Sequence, residues 1–388
     1  MDLQFLTLED VNLNGKRVLM REDFNVPIKD GKIQSDLRIR AALPGIKYAL
    51  DQKAKVMLMS HLGRPEEGAW QAEYSLEPIA ACLQDLLGKP VKFVKDMFGT
   101  AIATEEQVVL FENVRFLQGE TENAADLAQK MAKLCDVFVL DAFGSAHRAH
   151  ASTVGVAEFA PTAVAGPLIV QEVLALNRVL NNPKSPVLGI IGGAKVSSKL
   201  NLLEVLLSKL DVMIIGGGMA NTILAAQGLE VGASLYEKEL IPMAANFLQK
   251  AKQQQCEVLL PIDVIIQDGQ NKDVKALTAS DKIFDIGIKT QQLFQQAISK
   301  AATILWNGPM GVFEDARFAQ GTLEIATAVA NSNAFTVAGG GDTLAAIDKM
   351  QLANKFSYIS TGGGAFLEYL ENGTLPAIQA LIQKRKTS

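Results

Sequence analysis

Cysteine, histidine and tryptophan are scarce in this chain: its 388 residues hold 3 Cys, 3 His and 2 Trp. Cys82, Cys135 and Cys256 are scattered, without a CxxC pair or an even set, which excludes a disulfide framework and a metal knuckle and fits a reducing compartment. No apolar run reaches the ~20 residues of a membrane span. The opening MDLQFLTLED has no basic segment ahead of an apolar one, so no membrane association is expected and the expected location is cytoplasmic. Positive charge is not in excess either. A net charge of −5 argues against general affinity for nucleic acid or acidic membrane, though it leaves room for a local basic pocket. Two nucleotide fingerprints are missing, the GxxxxGK[ST] loop and a GxGxxG after the first strand. Neither Ser60–His61 nor Ser145–His147 stands in a GxSxG elbow, and His147 and His150 have no third ligand nearby, so a serine nucleophile and a metal pair are both disfavoured.

What is present is an ordinary globular composition, 48% hydrophobic and 20% charged with 31 glycines, at a length that favours two domains. In the first half, short apolar runs end in loops bearing Arg or His. Arg17–Met20 leads to Arg21, Asp23, Phe24 and Asn25; Lys55–Met59 leads to Ser60, His61, Leu62, Gly63 and Arg64; Val108–Phe111 leads to Glu112 and Arg115; Val137–Leu140 leads to Asp141, His147, Arg148 and His150. Runs of this kind alternating with helical patterns, such as Leu76–Leu87, argue for βαβ units and a parallel sheet, with ligands outside the carboxyl ends of the strands. Arg38 falls at or near the start of a helix within 33–50. One arginine after a strand is an ordinary surface group, but several converging guanidinium forks make a pocket for phosphate or carboxylate.

An amphipathic stretch over 163–180, with Val164, Leu168, Val173, Leu174, Leu176 and Leu180 as its apolar positions, reads as a helix joining two domains, broken by Asn181, Asn182 and Pro183. Beyond it the strand ends carry glycine instead of arginine. Val187–Ile191 leads to Gly192 and Gly193, Val212–Ile215 to Gly216, Gly217 and Gly218, Phe335–Ala338 to Gly339, Gly340, Gly341 and Asp342, and Tyr358–Ser360 to Gly362, Gly363 and Gly364. A single glycine pair is a turn feature; four such turns make a floor for a nucleotide, because glycine lets a ligand approach the backbone. In the central stretch GIIGGAKVSSKL, Lys195, Ser197, Ser198 and Lys199 read as a helix start next to a tight turn, where free N–H groups and the helix dipole favour phosphate. An anion pocket in one half and a nucleotide floor in the other suggest a phosphotransferase. A nucleotide-regulated binding protein and a nicotinamide-dependent oxidoreductase are the competing readings, and the second needs the dinucleotide fingerprint that is missing.

The motifs REDFN (21–25), SHLGRP (60–65), ENVRF (112–116), DAFGSAHRAH (141–150), GGAKVSSK (192–199), WNGPMGVFE (306–314), GGGDT (339–343) and STGGGA (360–365) follow one another as in phosphoglycerate kinases, which the chain closely resembles over essentially its whole length. The resemblance implies an α/β protein of two Rossmann-like domains, each a parallel sheet flanked by helices. Residues 1–170 would bind 3-phosphoglycerate with the tail 374–388 packed back on them, 163–182 would form the interdomain helix, and 183–373 would bind nucleotide. It implies reversible, Mg2+-dependent transfer of a phosphoryl group between 1,3-bisphosphoglycerate and ADP, giving 3-phosphoglycerate and ATP, in a cytoplasmic, hinge-bending monomer of glycolysis. Asp23, Phe24, Asn25, Arg38, His61, Leu62, Gly63, Arg64, Arg115 and Arg148 would bind phosphoglycerate. Gly193, Ala194, Lys195, Lys199, Gly217, Asn307, Glu314, Gly340, Gly341, Asp342 and Thr343 would bind nucleotide, with Glu314 on the ribose and Asp342 on the magnesium. Arg38, Lys195, Lys199, Gly340 and Gly363 would be catalytic, and Ser198 stands where some members of the family carry Asp. A carboxylate acceptor is already ionised at neutral pH, which accounts for the lack of an obvious general base.

Overall fold

A computed structural model of the chain describes residues 3–99 and 107–387. The chain divides into two compact units, Met1–Leu174 with Thr374–Ser388, and Ala175–Gly373.

In the first unit, strands β1 (Arg17–Arg21), β4 (Lys55–Met59), β5 (Lys92–Val94), β6 (Val108–Phe111), β7 (Val137–Leu140) and β8 (Thr162–Ala165) form a parallel sheet in the order β5-β6-β4-β1-β7-β8, and β2 (Ile28–Lys29) pairs with β3 (Lys32–Ile33) in a small hairpin. These strands read as continuous apolar runs because helices cover both faces of a parallel sheet, and β6 and β7 are buried at every position. The helices are α1 (Leu37–Asp51), α2 (Glu77–Leu87), α3 (Ala125–Ala132) and α4 (Val156–Phe159). Local chemistry sets their ends: Asp36 precedes α1 and holds Arg40 one turn on at 2.8 Å, while α2 carries Pro78 in its first turn and stops at Gly88 with φ +63°. The core gathers Val18, Met20 and Phe24 with Ile39 and Ile46 of α1 and Leu58 of β4.

Helix α5 (Pro167–Leu180) carries the chain from the first unit into the second. The helix expected from 163 starts four residues later. Thr162–Ala165 pairs with β7 as the last strand of the sheet, since the run TAVA satisfies a buried strand as well as one helical turn.

The second unit repeats the plan with β9 (Val187–Ile191), β10 (Val212–Ile215), β11 (Glu257–Leu259), β15 (Thr303–Asn307), β16 (Phe335–Gly339) and β17 (Tyr358–Ser360) in the parallel order β11-β10-β9-β15-β16-β17. An antiparallel sheet of β12 (Asp263–Ile266), β13 (Asn271–Asp273) and β14 (Ile283–Ile286) is added to it. Helices α6 (Leu200–Leu207), α7 (Gly217–Ala226), α8 (Ile241–Gln253), α9 (Ile288–Lys300), α10 (Gln320–Ala330), α11 (Gly341–Lys349) and α12 (Gly364–Asn372) complete it, and Trp306 lies fully buried in its core against Phe356, 6.1 Å between ring centres. The last helix, α13 (Pro376–Thr387), belongs to the first unit, where it packs on α4 and β8.

In both parallel sheets the chain order reverses at a central strand. β4 and β7 flank β1 in one; β9 and β15 lie side by side in the other, each leading outward in its own direction. Crevices open outside the carboxyl ends of strands at such reversals, and the arginine-bearing and glycine-rich loops both leave from these ends. At the second reversal the backbones touch. A Cβ on Gly192 would lie 1.9 Å from the Pro309 carbonyl oxygen, whereas one on Gly341 would meet nothing within 4 Å. Gly192→Ala should therefore lower stability by roughly 1–3 kcal/mol while Gly341→Ala leaves it nearly unchanged, as read from urea unfolding followed by Trp306 fluorescence; equal curves for the two would refute the close contact.

Candidate active site

The carboxyl ends of β1, β4, β6 and β7 bring the first set of residues together. Arg21, 1% exposed, donates from Nε to Ser152 Oγ at 3.0 Å and from Nη1 to the Glu22 carbonyl, and its Nη2 lies 3.2 Å from His61 Nδ1. A guanidinium has no acceptor, so His61 Nδ1 must accept and the imidazole proton sits on Nε2. Burial first, then the charges of Arg21, Arg115, Arg148 and Arg38, hold the His61 pKa well below its ordinary value, which keeps the ring neutral. Arg38, at the second position of α1, donates from Nη1 to both Asp23 oxygens at 3.1 Å and to the Asn25 carbonyl at 3.3 Å, while Asn25 Oδ1 accepts from Gly63 N at 3.0 Å. This half-exposed pair adds at most about 1 kcal/mol to stability; its effect is to aim the guanidinium. Gly63, at φ +61°, has no room for a side chain, because a Cβ would sit 2.3 Å from the Tyr74 ring, and its carbonyl accepts from Arg115 Nη1.

Arg64, Pro65, Arg115, Thr121, Arg148 and His150 line a cavity of about 350 Å³. No carboxylate is among these lining residues. Burial, followed by the neighbouring charges of Arg148 and Arg21, pushes Arg115 down to about 10, and burial together with Arg115, Arg21 and Arg148 pushes His150 down to about 4. Both shifts report the same condition, positive charge crowded where water cannot disperse it, and a polyvalent anion is the ligand that relieves it. Two of the expected residues take another part: the side chains of Phe24 and Leu62 are buried in the hydrophobic core, so only their backbones face the loops. Ser60 Oγ accepts from the Phe24 amide at 2.8 Å, fixing the first loop to the second.

In the second unit, a cavity of about 270 Å³ lies beside the chain reversal, walled by Gly193, Ala194, Gly217 and Gly218 on one side and by Leu235, Phe284, Met310 and Val312 among others. Glu314 and Asp342, both exposed, stand in its lining. Gly217, at φ +69°, approaches so closely that a Cβ would meet the Gly193 carbonyl at 2.6 Å. The ends of β15 and β16 are tied by side chains: Asn307 Nδ2 donates to the Gly339 carbonyl at 2.7 Å, and Thr343 Oγ1 accepts from Gly308 N at 2.7 Å. Asn307 Oδ1 is buried without a hydrogen-bond partner among the described residues, and Gly340, at φ +97°, has no space for a Cβ beside Asn307 Nδ2. These contacts leave the first amides of α11 free at the strand end, with Gly341, Asp342 and Thr343 in its first turn.

Of the two lysines expected at a helix start, Lys199 stands at one and Lys195 lies earlier in the turn before it. The turn after β9 runs through 193–199, and α6 begins at Leu200 with Lys199 as its N-cap, because the following run LNLLEVLL is the first to offer a buried face. Lys199 Nζ donates to the Gly192 carbonyl at 2.6 Å, and burial pushes its pKa down to about 8 against the opposing pull of Asp342. Lys195 is exposed on the same turn, and the Ser198 hydroxyl is spent on the Lys195 carbonyl at 2.8 Å. Gly363, at φ +56°, precedes α12 at the end of the edge strand β17, and a Cβ there would meet nothing within 4 Å.

A family model described as phosphoglycerate kinase matches residues 8–373. The chain belongs to the phosphoglycerate kinase family. It is 54% identical to the phosphoglycerate kinase of Legionella pneumophila (strain Lens) over 390 residues, 99% of this chain and 98% of that one, and 50% identical to that of Coxiella burnetii over 386 residues, 98% and 99% of the two. The solved structure of phosphoglycerate kinase from Coxiella burnetii superimposes with a TM-score of 0.95 at 50% identity, covering 99% of this chain and 100% of that one; the enzyme from Pyrococcus horikoshii OT3 does so with 0.82 at 33% identity and the same coverage. As a phosphoglycerate kinase family member the chain is a phosphotransferase that takes a carboxyl group as acceptor, and the two-domain α/β architecture is the one these structures share.

Of the residues named from sequence, Arg64, Arg115 and Arg148 share one cavity; Asp23, Asn25, Arg38, Gly63 and His61 belong to its surrounding hydrogen-bond network; and Gly193, Ala194, Gly217, Glu314 and Asp342 share the other cavity. Thr121 and His150 in the first cavity, and the wall of Leu235, Pro261, Phe284 and Asp285 in the second, were not among the named site residues. Only His150 had a sequence signal, its place in the loop after β7. If the histidines stay neutral as the crowded charge requires, neither His61 nor His150 should show an imidazole midpoint between pH 5 and 8 in proton NMR titration; a midpoint near 6.5 for either would contradict the electrostatics.

Proposed function

We propose that the chain catalyses reversible phosphoryl transfer between 1,3-bisphosphoglycerate and ADP, yielding 3-phosphoglycerate and ATP, as a step of glycolysis and gluconeogenesis. The cavity of Arg64, Arg115, Arg148 and His150 carries this reading. Its crowded, partly desolvated charge fits the phosphate of a phosphoglycerate, and hydrogen bonds through Gly63 and Asn25 link its Arg115 to Arg38, which Asp23 and Asn25 aim. His61, neutral with its proton on Nε2, serves as a hydrogen-bond donor and not as a proton carrier.

In the second unit the apolar wall and glycine backbone suit a purine base and its phosphate chain, Glu314 suits the ribose hydroxyls, and the first amides of α11 with Lys199 suit the phosphates. Asp342 offers a hard carboxylate oxygen in the same cavity, the donor type Mg2+ takes alongside waters and nucleotide phosphates. Bound magnesium would supply charge neutralisation on those phosphates. The acceptor carboxylate needs no deprotonation, so the work of the protein is alignment and charge stabilisation, with Arg38 and Lys195 meeting the transferring group. Anion cluster and nucleotide cavity stand on different units, and in-line transfer requires reacting atoms within about 3–3.5 Å. Closure of one unit toward the other, with α5 as the hinge, meets that requirement and keeps water from the acyl phosphate. We take the active species to be a cytoplasmic monomer.

With ATP, Mg2+ and 3-phosphoglycerate supplied, purified protein should consume ATP only when the acid is present, and turnover independent of the acid would overturn the proposal. Lys195→Ala should reduce kcat by roughly 10²–10³ while the KM for phosphoglycerate changes little. A matching loss in both would reassign Lys195 to a general structural part.

A further inference from the structure

The proposed mechanism uses the arginines after β1 and β7 but leaves two buried carboxyls at the same strand ends without a task. Arg21 and Leu140 are paired in the parallel register of β1 and β7, and the next step along both strands sets Glu22 beside Asp141. The ladder continues through this step, for Asp141 N donates to the Arg21 carbonyl at 2.9 Å and Glu22 N to the Met59 carbonyl at 3.0 Å. Both side chains are fully buried. No donor among the described residues reaches either oxygen of Glu22 or Oδ2 of Asp141. The other Asp141 oxygen is engaged: Oδ1 accepts from the amides of Leu168 at 2.7 Å and Ile169 at 3.3 Å, in the first turn of α5. Around the pair, β1 contributes the charge of Arg21 and the loop after it that of Asp23, α5 contributes those two amides, and α1 contributes Gly45, whose Cβ position lies 2.8 Å from Asp141 Oδ2.

Two like charges side by side and out of water cannot both be held, while the three unpartnered oxygens have no donor to quiet them. A proton on one carboxyl removes a charge and creates the missing donor at once. We propose that Glu22 and Asp141 hold one proton between them, and that this shared proton positions the anion-binding loop after β1, through Arg21 and Asp23 on either side of Glu22, against the start of α5. Glu22 and Asp141 are positioning residues: neither lines the anion cavity, and each acts through the groups that do.

Burial raises the proton affinity of both carboxyls, with mutual repulsion adding to it for Glu22 and the backbone bonds to Asp141 opposing it. Folded protein thus binds more protons than unfolded protein, and the contribution of the pair to stability is largest at low pH and is lost as the pH climbs out of the ordinary carboxylate range and the second carboxyl ionises. Glu22→Gln replaces the protonated partner with a neutral shape-mimic, and Asp141→Asn does the same while keeping an oxygen for the α5 amides.

Melting temperatures of the wild-type protein and both variants, taken from pH 6 to pH 9, test the pair. The wild type should lose stability toward pH 9 and each variant should lose much less, so that the variants gain on the wild type as pH rises. The kinetic part of the inference rests on the proposed function: the wild-type KM for 3-phosphoglycerate should climb by up to about tenfold over the same range, with kcat nearly constant, and Glu22→Gln should flatten that climb. Parallel melting curves for all three proteins overturn the shared proton. So does failure of both variants to fold at pH 6, where they imitate the protonated pair. Failure of acid-dependent ATP consumption would remove the proposed function and the kinetic readout, while the melting comparison would still decide the pair.

Discussion

Positive charge held together out of water is the constraint on which the first unit depends. At an effective dielectric near 20, two unit charges 4 Å apart interact by about 4 kcal/mol, so several guanidinium groups around one small cavity repel one another by amounts comparable to the stability of a whole domain. Glu120, fully buried, offsets part of this from beneath: its Oε1 lies 3.8 Å from His150 Nδ1, and its charge favours the charged forms of both Arg21 and Arg115. One carboxylate does not balance Arg21, Arg115 and Arg148. The remainder is kept in place by hydrogen bonds that cost no counter-charge, from Arg21 to Ser152 and a carbonyl and from Arg115 to the Gly63 carbonyl. Keeping the histidines neutral lowers the repulsion further, which is why they contribute donors here and not cations.

The second unit is built without a cluster of arginines, and the titratable groups in its cavity lining are the carboxyls of Asp285, Glu314 and Asp342. Its cavity is bounded largely by glycine backbone and apolar side chains, and under the proposed function its attraction for phosphate would come from the first amides of α11 and from Lys199. That choice has a physical logic. A nucleotide brings a base as well as phosphates, and the base needs a dry wall that a ring of arginines would not provide. Glycine at 192, 217 and 340 is forced by packing of one strand end on the next, where any side chain would strike backbone or the Asn307 amide. The same close packing is what leaves room for a ligand to reach the backbone from the open side.

Much of this was legible before the structure because both devices announce themselves in composition at strand ends. Runs such as Val108–Phe111 and Val137–Leu140 have the length and the β-branched and aromatic content of buried strands, and residues placed just after them are carried to one rim of the sheet by topology. What stayed hidden depended on tertiary pairing. Thr162–Ala165 has the spacing of a helical turn and becomes a strand only because β7 offers a free edge. Lys195 and Ser197 resemble a helix start until the buried face of Leu200–Leu207 shows where burial begins. Phe24 and Leu62 sit inside polar motifs, yet point into the core, since a loop that presents Asp23, Asn25 and Gly63 outward must anchor itself inward. The wall of Leu235, Phe284 and Val312 comes from three distant segments, none with a charge or glycine pattern to mark it.

Strand β1 shows how closely these demands are interlocked. Alternation along a strand turns successive side chains to opposite faces. Arg21 therefore joins the cation cluster with His61 and Ser152, while Glu22 is directed away from it toward Asp141 and the first turn of α5. A single residue step separates a desolvated cation from desolvated acids. Moving either side chain across the sheet would pair Arg21 with the two carboxyls and empty the anion cavity of the charge beneath it. The backbone keeps them apart, because β1 is paired on both sides, with β4 and with β7, and a slip of one residue would turn Val18 and Met20 to the opposite face along with the charges. The register that buries the core is thus the same register that assigns each charge to its face, and the loop after β1 inherits its position from both.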